Sequence, residues 1–382
     1  MATHVPNQVE MKHRDCVLSF GAAFVLFLVA SASPVLAQAN GNLQIHFINV
    51  GQGDGAILIS PQGQTVMFDN GVRSDCGRVV SYLQSLGVAR IDYHIASHYH
   101  ADHIGCTTEV FAQFPLQVAA YDRGGAYNSA TFRAYVDATG EKRQTASEGT
   151  TITLDANTPH PVIITVVALN GNGIQTTNEN DLSLVAVIQF GGFRAVIGGD
   201  LSGYKTGSYE DIESSVAPKV GQVDVYKVHH HCSRYSTNST WLEHTQPRIG
   251  IVSTGNGNNH GHPAPECLER LHNTGVKTYW TETGAGGMPE PGWDAVCGHI
   301  SIQVQADASN FTVTCGTHSD SYALWDTSTS ASASVPRYAW SSRSGVYHYA
   351  ECRTVRLISP GNLQRGDTPP LGKALHQLCP LK

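Results

Sequence analysis

The stretch SHYHADHIGC at residues 97–106 constrains this chain most, because it places three histidines and an aspartate within six positions. It continues the run IDYHIAS, which predicts a buried strand. His98 and His100 are two apart in an extended segment, so their imidazoles point to the same side. Asp102 and His103 lie in the turn that follows. Histidine nitrogens and carboxylate oxygens suit Zn²⁺, Mn²⁺ or Fe, so these residues are candidate metal ligands.

The first 37 residues predict a secretory signal peptide. Lys12 and Arg14 precede the apolar run at 16–30, and the small-residue sequence VLA offers a cleavage site before Gln38. The apolar run is shorter than the roughly 20 residues of a membrane span. We therefore expect a secreted or periplasmic chain with no membrane association after cleavage; a retained N-terminal anchor is the alternative.

The charge of the chain argues against binding of a phosphate polymer by global attraction. The formal net charge is −7, and removal of the signal takes away two basic and two acidic residues and leaves this value unchanged. Binding to nucleic acids normally relies on clustered Lys and Arg. A nucleic-acid substrate would have to be held locally, with a metal as the first candidate.

The cysteines predict disulfides. The mature chain keeps eight of the nine, an even number, which is typical of an exported protein with disulfides. Cys297 and Cys315 bracket GHISIQVQADASNFTVT, which alternates like two strands, so we predict that these two are paired. Eight cysteines allow 105 connectivities, and the other pairs stay unassigned.

Strand and helix patterns alternate along most of the chain. LQIHFINV, AILIS and TVMFD predict strands, and CGRVVSYLQSLG (76–87) predicts a helix. LSLVAVIQF (182–190) and FRAVIG (193–198) predict a hairpin across two glycines. Strands and helices then alternate up to the helical stretch APECLERLHNTG (264–275). This mixture predicts an α/β fold in the form of a layered sandwich.

Composition divides the chain into segments. We predict one large α/β domain over 41–315 after the signal at 1–37. Residues 316–336 are rich in Ser, Thr and Ala and predict a flexible linker. The tail at 337–382 is a small module that cannot build a generous core without a disulfide or a metal.

The motifs resemble one known family. HYHADH matches the HxHxDH signature of the metallo-β-lactamase fold superfamily. HFINVGQGDGAILISPQGQTVMFDNG, NDLSLVAVIQFGGFRAVIGGDLSG, VYKVHHHCSRYS and GNNHGHPAPECLERL extend the resemblance over residues 43–315 to the hydrolase domain of the ComEC/Rec2 competence proteins and their secreted relatives. The resemblance implies a four-layered αββα sandwich with one or two metal ions, Zn²⁺ or Mn²⁺, at the edge between its sheets.

The resemblance also implies a ligand set. It assigns His98 and His100 to a first ion, Asp102 and His103 to a second, Asp200 to a bridge between them, and His262 to the second site. The residues support two of these assignments independently. Asp200 ends an apolar strand after two glycines, which suits a carboxylate close to a cation, and His262 precedes a proline in a loop after another strand pattern.

The chain departs from the family pattern before the bridging aspartate. Many relatives supply a third histidine to the first ion there, but His160 is the only histidine between His103 and Asp200. Asn180 and Ser183 match the element of the competence-type branch instead. The first ion is therefore expected to be weakly held or absent.

The family sequence HHGS is replaced by His230-His231-Cys232-Ser233, preceded by an extra His229. These histidines could add a metal ligand or donate a proton to a leaving group, and we favour His230 slightly as the one that faces the site. Cys232 is either a thiolate ligand or part of a disulfide.

The loop VGQGDG (50–55) lacks the Lys-Ser/Thr of a phosphate-binding P-loop and joins two strands instead. Asp54 in this loop and Asp69 are therefore predicted to support the site rather than to bind metal.

These residues predict hydrolysis by metal-bound hydroxide, because a bound metal lowers the pKa of water from 15.7 to about 7. Asp102 would orient the nucleophile, and His230 or His231 would assist the leaving group. The leading hypothesis is a secreted phosphodiesterase or nuclease acting on nucleic acid or nucleotides. The alternatives are a hydrolase of lactams, lactones or other small esters, and a non-catalytic exported binding module.

The tail offers a second candidate site. SRSGVYHYAECRTVRLISPGNL and HQLCP resemble small Ada-like metal-binding modules appended to secreted nucleases. His348, Cys352, His376 and Cys379 could form a His₂Cys₂ zinc site. A disulfide between Cys352 and Cys379 is the alternative.

Overall fold

The structure is a computed structural model, and it describes residues 1–3, 39–307, 309–325, 338–349, 355, 358, 362–366 and 370–376. Nearly all of the predicted signal peptide at 1–37 therefore lies outside the described residues. Within the described ranges, no helix is both long enough and apolar enough to cross a bilayer.

Most of the strands belong to two large sheets. The bounds of these strands are β1 Leu43–Phe47, β2 Gly55–Ile59, β3 Thr65–Asn70, β4 Ile91–Ile95, β5 Leu116–Asp122, β6 Arg143–Thr145, β7 Thr151–Leu154, β8 Val162–Ala168, β9 Val185–Phe190, β10 Phe193–Ile197, β13 Val225–Lys227, β14 Ile249–Val252, β15 Lys277–Trp280, β16 Asp294–Val296, β17 Ile300–Val304, β18 Asn310–Cys315 and β19 His318–Ala323. The nine-stranded sheet has the order β19-β18-β17-β1-β2-β3-β4-β5-β6, and the eight-stranded sheet has the order β16-β15-β14-β13-β10-β9-β8-β7.

The helices and the smaller sheets complete the described part of the chain. The helices are α1 Cys76–Ser85, α2 Ala101–Ile104, α3 Thr107–Gln113, α4 Ala130–Thr139, α5 Glu213–Val220, α6 Ser239–Thr245 and α7 Pro265–Asn273. Two short strands, β11 Gly203–Thr206 and β12 Tyr209–Asp211, pair with each other. The tail forms a sheet in the order β22-β20-β21-β23, from β20 Tyr338–Ser341, β21 Val346–Tyr349, β22 Leu363–Gly366 and β23 Ala374–Leu375.

The two large sheets pack face to face and carry helices on their outer faces. Phe47 and Leu58 of the first sheet and Ile188 and Ile251 of the second lie in one buried apolar cluster. Leu83 of α1 belongs to a second cluster, on the outer face of the nine-stranded sheet. Helices α5, α6 and α7 cover the eight-stranded sheet through a third cluster. The predicted αββα sandwich is confirmed.

Each large sheet contains a parallel half. Strands β3, β4 and β5 run parallel in the first sheet, and β10, β13, β14 and β15 run parallel in the second. The loops that follow parallel strands emerge at the same edge of a sheet, which is where ligands bind in open α/β sheets. The predicted hairpin is also confirmed, since β9 and β10 pair antiparallel with Phe190 opposite Phe193.

The described residues contain three disulfides: Cys76–Cys106, Cys232–Cys267 and Cys297–Cys315. The predicted Cys297–Cys315 pair is among them. Cys297 follows β16 of the eight-stranded sheet and Cys315 ends β18 of the nine-stranded sheet. This disulfide therefore links the two sheets covalently. The disulfide of Cys232 replaces the alternative of a thiolate ligand.

The first sheet extends beyond the predicted boundary at residue 315. Residues 318–323 were expected to be linker, but they form β19, which pairs with β18 along its whole length. The composition did not indicate this strand, because it lies at the edge of the sheet and most residues of its sequence HSDSYA are exposed. The part of the predicted linker at 326–336 lies outside the described residues.

We expect the double variant Cys297→Ala/Cys315→Ala to lower the free energy of unfolding by about 3 kcal/mol. A disulfide that closes a loop of this size lowers the conformational entropy of the unfolded chain by that amount. Urea denaturation of the oxidised proteins measures the difference. Thr314→Ala is the matched control beside Cys315. A loss below about 1 kcal/mol would show that the sheets are held together without this bond.

Candidate metal centre

The candidate ligands lie on loops that leave the carboxyl ends of parallel strands in both large sheets. The chain after β4 carries His98 to His103, and the chain after β10 carries Asp200. The chain after β13 carries His230 and His231 in a short 3₁₀ turn. Three separate segments are thereby brought to the edge between the two sheets.

Four residues bring one donor atom each into a compact group. Donor atoms of Asp102, His103, Asp200 and His231 all lie within 4.8 Å of one another. Asp200 Oδ2 lies 3.3 Å from His103 Nε2 and 3.4 Å from His231 Nε2. Asp102 Oδ2 lies 3.3 Å from His231 Nε2 and 3.7 Å from His103 Nε2. Two imidazoles and two carboxylates therefore converge on one position.

The two imidazoles of this group are oriented from behind by buried acceptors. His103 donates from Nδ1 to Asp69 Oδ2 at 2.8 Å. His231 donates from Nδ1 to the carbonyl of Ser253 at 3.0 Å, and its Nδ1 lies 3.2 Å from Asp54 Oδ1. The Nε2 atoms of both rings are buried and have no hydrogen-bond partner among the described residues. Metal-ligating histidines are typically held in this way, with the free nitrogen toward the ion.

Glycines permit the close approach of the loops that carry the carboxylates. Gly199 has φ +57°, and a Cβ there would lie 2.7 Å from the side chain of Ser97. A Cβ at Gly53 would lie 2.2 Å from the carbonyl oxygen of Asp102. Both positions exclude side chains, so the glycines that precede Asp200 and Asp54 are required by the packing of the site.

His98 and His100 lie beside the four-residue group. His98 Nε2 is 3.0 Å from His100 Nδ1 and 4.0 Å from Asp200 Oδ2. On its other side, His98 Nδ1 lies 3.1 Å from Ser97 Oγ and 3.3 Å from Ser183 Oγ. Ser183 Oγ also accepts a hydrogen bond from the backbone N–H of Asp200 at 3.1 Å, so Ser183 connects His98 to the loop that carries Asp200.

His231 is part of the four-residue group, and His262 lies beside it. The resemblance assigns His262 to the second metal site, and the sequence left His231 as an added metal ligand or a proton donor. The structure places His231 Nε2 in the four-residue group, while the His262 ring lies 5.9 Å from the His231 ring and 5.3 Å from the His230 ring. His262 Nδ1 is buried without a hydrogen-bond partner among the described residues.

His230 faces the same space from the 3₁₀ turn. Its Nε2 lies 3.3 Å from Asn180 Nδ2 and 3.9 Å from Asp200 Oδ2, and its Nδ1 lacks a hydrogen-bond partner in the described part of the chain. His230 and His231 have φ values of 49° and 51°, a left-handed conformation that costs about 1–3 kcal/mol per residue. Surrounding structure must hold this turn, and the Cys232–Cys267 disulfide lies directly after it.

The charges of the group are strongly coupled. Burial by itself would lower the pKa of His103 and of His231, but Asp200 and the other nearby carboxylates outweigh it and raise both pKa values well above the usual range. Burial would raise the pKa of Asp200, but His231 and His103 hold it well below its usual value. Burial lowers the pKa of His230 to about 4 and that of His262 to about 2.

These observations fit a divalent cation. The group combines buried carboxylates with imidazole nitrogens that have no other partner in the described residues, and such donors suit Zn²⁺ and Mn²⁺. Asp102, His103, Asp200 and His231 are the residues that could hold one ion. His98 and His100, with Asp200, are the nearest donors for another.

Sequence reasoning missed two buried charges that support the site. Lys227 forms a buried ion pair with Asp54 Oδ2, opposite the oxygen that faces His231. Glu213 accepts hydrogen bonds from His229 Nδ1 at 2.7 Å and from the backbone N–H of Thr237 at 2.6 Å. A lysine within the apolar strand VYKV is a recognisable signal. Nothing in the sequence around Glu213 distinguishes it from a surface residue.

Two of the four predicted ligands in the tail, His348 and His376, lie among the described residues. The rings of His348 and His376, on β21 and just after β23, stack with their centroids 4.7 Å apart. Cys352 and Cys379 lie outside the described residues, so the zinc site and the alternative disulfide both stay predictions.

Comparisons with known proteins agree with this geometry. Residues 55–255 match the family model described as the metallo-β-lactamase superfamily. ComE operon protein 3 of Bacillus subtilis is 23% identical over 290 residues, which cover 71% of this chain and 36% of that protein. Recombination protein 2 of Haemophilus influenzae is 26% identical over 234 residues, 60% of this chain and 26% of that protein. The chain thus spans about a third or less of the length of these relatives.

Solved structures align with part of the chain at low similarity. A motif mutant of the metallo-β-lactamase of Cronobacter sakazakii aligns with a TM-score of 0.34 and 16% identity, over 47% of this chain and 74% of that one.

We expect Asp69→Asn and Asp54→Asn each to weaken Zn²⁺ binding by about 10- to 100-fold, because each removes a carboxylate behind a histidine of the group. Competition with a chromophoric chelator measures the affinity. Asp92→Asn is the matched control, since Asp92 is also a buried carboxylate but pairs with Arg90 and Thr65. A Zn²⁺ affinity of Asp69→Asn and Asp54→Asn equal to that of Asp92→Asn and of the unsubstituted protein would show that the carboxylates do not support a metal site.

Proposed function

Because the chain belongs to the metallo-β-lactamase superfamily, we propose that it is an exported metal-dependent phosphodiesterase that acts on nucleic acid or nucleotides. The observation that carries the proposal is the convergence of Asp102, His103, Asp200 and His231, with the Nε2 atoms of both histidines buried and unpartnered within the described residues. The similarity to a protein named for recombination, a process of nucleic acids, favours a phosphodiester over a lactam or lactone.

The four-residue group would hold one ion. Another ion, the one that the resemblance assigns to His98 and His100, would be held by these two histidines and Asp200. When bound there, a divalent cation would supply a water of lowered pKa, about 7, and would neutralise charge on the attacked group. Asp54 and Asp69 keep the two histidines turned toward the ion. The Cys232–Cys267 disulfide fastens the turn that presents His231.

His230 is the group best placed to meet a substrate oxygen. It is more accessible than His231, with 12% of its side chain exposed against 2%. Its low pKa keeps the ring neutral at pH 7, so the imidazole carries one N–H. Asn180 Nδ2 lies 3.3 Å from Nε2 and orients the ring by donating to that nitrogen, so the proton of the ring is on Nδ1. We assign to this Nδ1–H a hydrogen bond to the leaving oxygen.

Three disulfides support the expected export, since structural disulfides persist in oxidising compartments. The signal-peptide pattern at 1–37 supports the same destination, secreted or periplasmic. The tail is proposed, by analogy with Ada-like modules, to bind Zn²⁺ through His348, Cys352, His376 and Cys379.

We expect His231→Ala to lower the Mn²⁺- or Zn²⁺-dependent hydrolysis of bis(p-nitrophenyl) phosphate by about 10³-fold or more, because it removes a metal ligand. His160→Ala is the control, since His160 is exposed and pairs only with Asp307 among the described residues. Initial rates on this ester, DNA and RNA, with metal content measured in parallel, test the proposal. Hydrolysis of nitrocefin or lactones with no activity on phosphodiesters would contradict it.

We expect His230→Ala to discriminate between leaving groups. Loss of a hydrogen bond to the departing oxygen costs about 10²- to 10⁴-fold on a dinucleotide, whose alkoxide leaving group is poor, and far less on bis(p-nitrophenyl) phosphate, whose phenolate leaves readily. Comparison of kcat on the two substrates at equal metal occupancy measures the effect. Equal losses on both would assign His230 to binding or folding instead.

A further inference from the structure

A buried carboxylate lies behind the stretch that carries His98 and His100. Glu179 Oε1 accepts a hydrogen bond from the backbone N–H of Tyr99, the residue between these two histidines, at 2.9 Å. Only 7% of the Glu179 side chain is exposed, and none of its atoms belongs to the four-residue group. It therefore fixes the backbone from which two candidate ligands project, from outside the group of donor atoms.

Arg123 holds this carboxylate by two hydrogen bonds. Its Nε donates to Glu179 Oε1 at 2.9 Å, and its Nη2 donates to Oε2 at 2.6 Å. The same guanidinium lies 4.2 Å from the centre of the Tyr99 ring. A bidentate pair fixes the orientation of a carboxylate as well as its position. Arg123 thus determines which way Glu179 Oε1 points, and it packs on the residue that this oxygen binds.

Tyr99 is also held at its far end. The residue is fully buried, and its Oη lies 2.9 Å from Asp122 Oδ1 and 2.8 Å from the carbonyl oxygen of Gly124. The backbone, the ring and the hydroxyl group of Tyr99 are therefore all fixed by buried partners. Because Tyr99 is the single residue between the two histidines, these partners set the distance between them.

The segment that begins at this carboxylate contacts further donors of the site. Ser183 Oγ lies 3.3 Å from His98 Nδ1 and accepts a hydrogen bond from the backbone N–H of Asp200 at 3.1 Å. Asn180 Nδ2 lies 3.3 Å from His230 Nε2. These two buried side chains contact donors on three separate loops. A displacement of the segment would therefore disturb all three.

We propose that Glu179 and Arg123 are positioning residues for the ion assigned to His98 and His100. His98 Nε2 and His100 Nδ1 lie 3.0 Å apart, near the roughly 3.3 Å between two nitrogen ligands of a tetrahedral Zn²⁺. The pair acts through Tyr99 and preserves this spacing, so that binding of the ion does not have to order the two imidazoles. This role rests on the proposed function, because it concerns one ion of the two-ion arrangement.

The test is a titration of Zn²⁺ into the metal-free full chain, followed by isothermal titration calorimetry. We expect two binding steps, and His100→Ala identifies the step that belongs to His98 and His100 because it removes a ligand. Glu179→Gln keeps an oxygen for Tyr99 but loses the bidentate pair. It should weaken that step by about 10- to 100-fold, the usual effect of losing a contact that orients a ligand. The step at the four-residue group should stay unchanged, which shows that the variant is folded.

Two variants of the arginine separate positioning from charge. Arg123→Gln makes the surroundings of the site more negative, which by charge alone would tighten the binding of a cation. The double variant Arg123→Gln/Glu179→Gln keeps the net charge and leaves neither buried charge unpaired, so it folds even where a single variant does not. Both variants should weaken the step at His98 and His100. Tighter binding in Arg123→Gln, or an unchanged step in the double variant, would overturn the proposal.

Asp92→Asn is the matched control. Asp92 is likewise a buried carboxylate that accepts a backbone N–H, that of Thr65 at 2.9 Å, and pairs with Arg90. It lies at the amino end of β4, away from the ligands, so its variant should keep both steps. A single binding step in the unsubstituted protein would overturn the proposal, as would equal weakening of both steps in Glu179→Gln.

Hydrolysis of bis(p-nitrophenyl) phosphate separates this role from the proposed function. If the variants lose the step at His98 and His100 but the unsubstituted protein cleaves no phosphodiester, the positioning role stands and the proposed function falls. If the protein is an active phosphodiesterase and the variants keep both steps, the positioning role falls alone.

Discussion

The buried carboxylates around His103 and His231 are the constraint on which the site depends. Asp54, Asp69 and Asp200 are each at most 4% exposed, and ionised groups at that depth are unfavourable unless cations or hydrogen bonds compensate them. Lys227 compensates one side of Asp54, and Ser97 donates to Asp69. The remaining negative charge faces the space between the two Nε2 atoms, and a metal ion is the simplest partner for it.

Two disulfides hold in place the loops that carry the histidines of the group. The Cys76–Cys106 disulfide joins α1 to the chain just beyond His103, and Cys232–Cys267 joins the turn of His231 to α7. Both bonds lie within three residues of a histidine of the group. Left-handed residues in the 3₁₀ turn store strain at the same place, and the glycines against Ser97 and Asp102 allow the loops to approach there. A rigid frame of this kind keeps the donors convergent.

The sequence was sufficient for whatever depends on local pattern. The β9–β10 hairpin, the Cys297–Cys315 pair and a layered α/β sandwich follow from short-range periodicity and spacing, and the structure agrees with them. The four-layered αββα order was implied by the family resemblance. The place of His231 in the four-residue group could not be predicted in this way, because it depends on the backbone of the turn that carries it. The 3₁₀ turn directs His231 toward Asp200, and no periodic pattern encodes a left-handed pair of histidines. Strand β19 escaped detection because edge strands need few apolar residues.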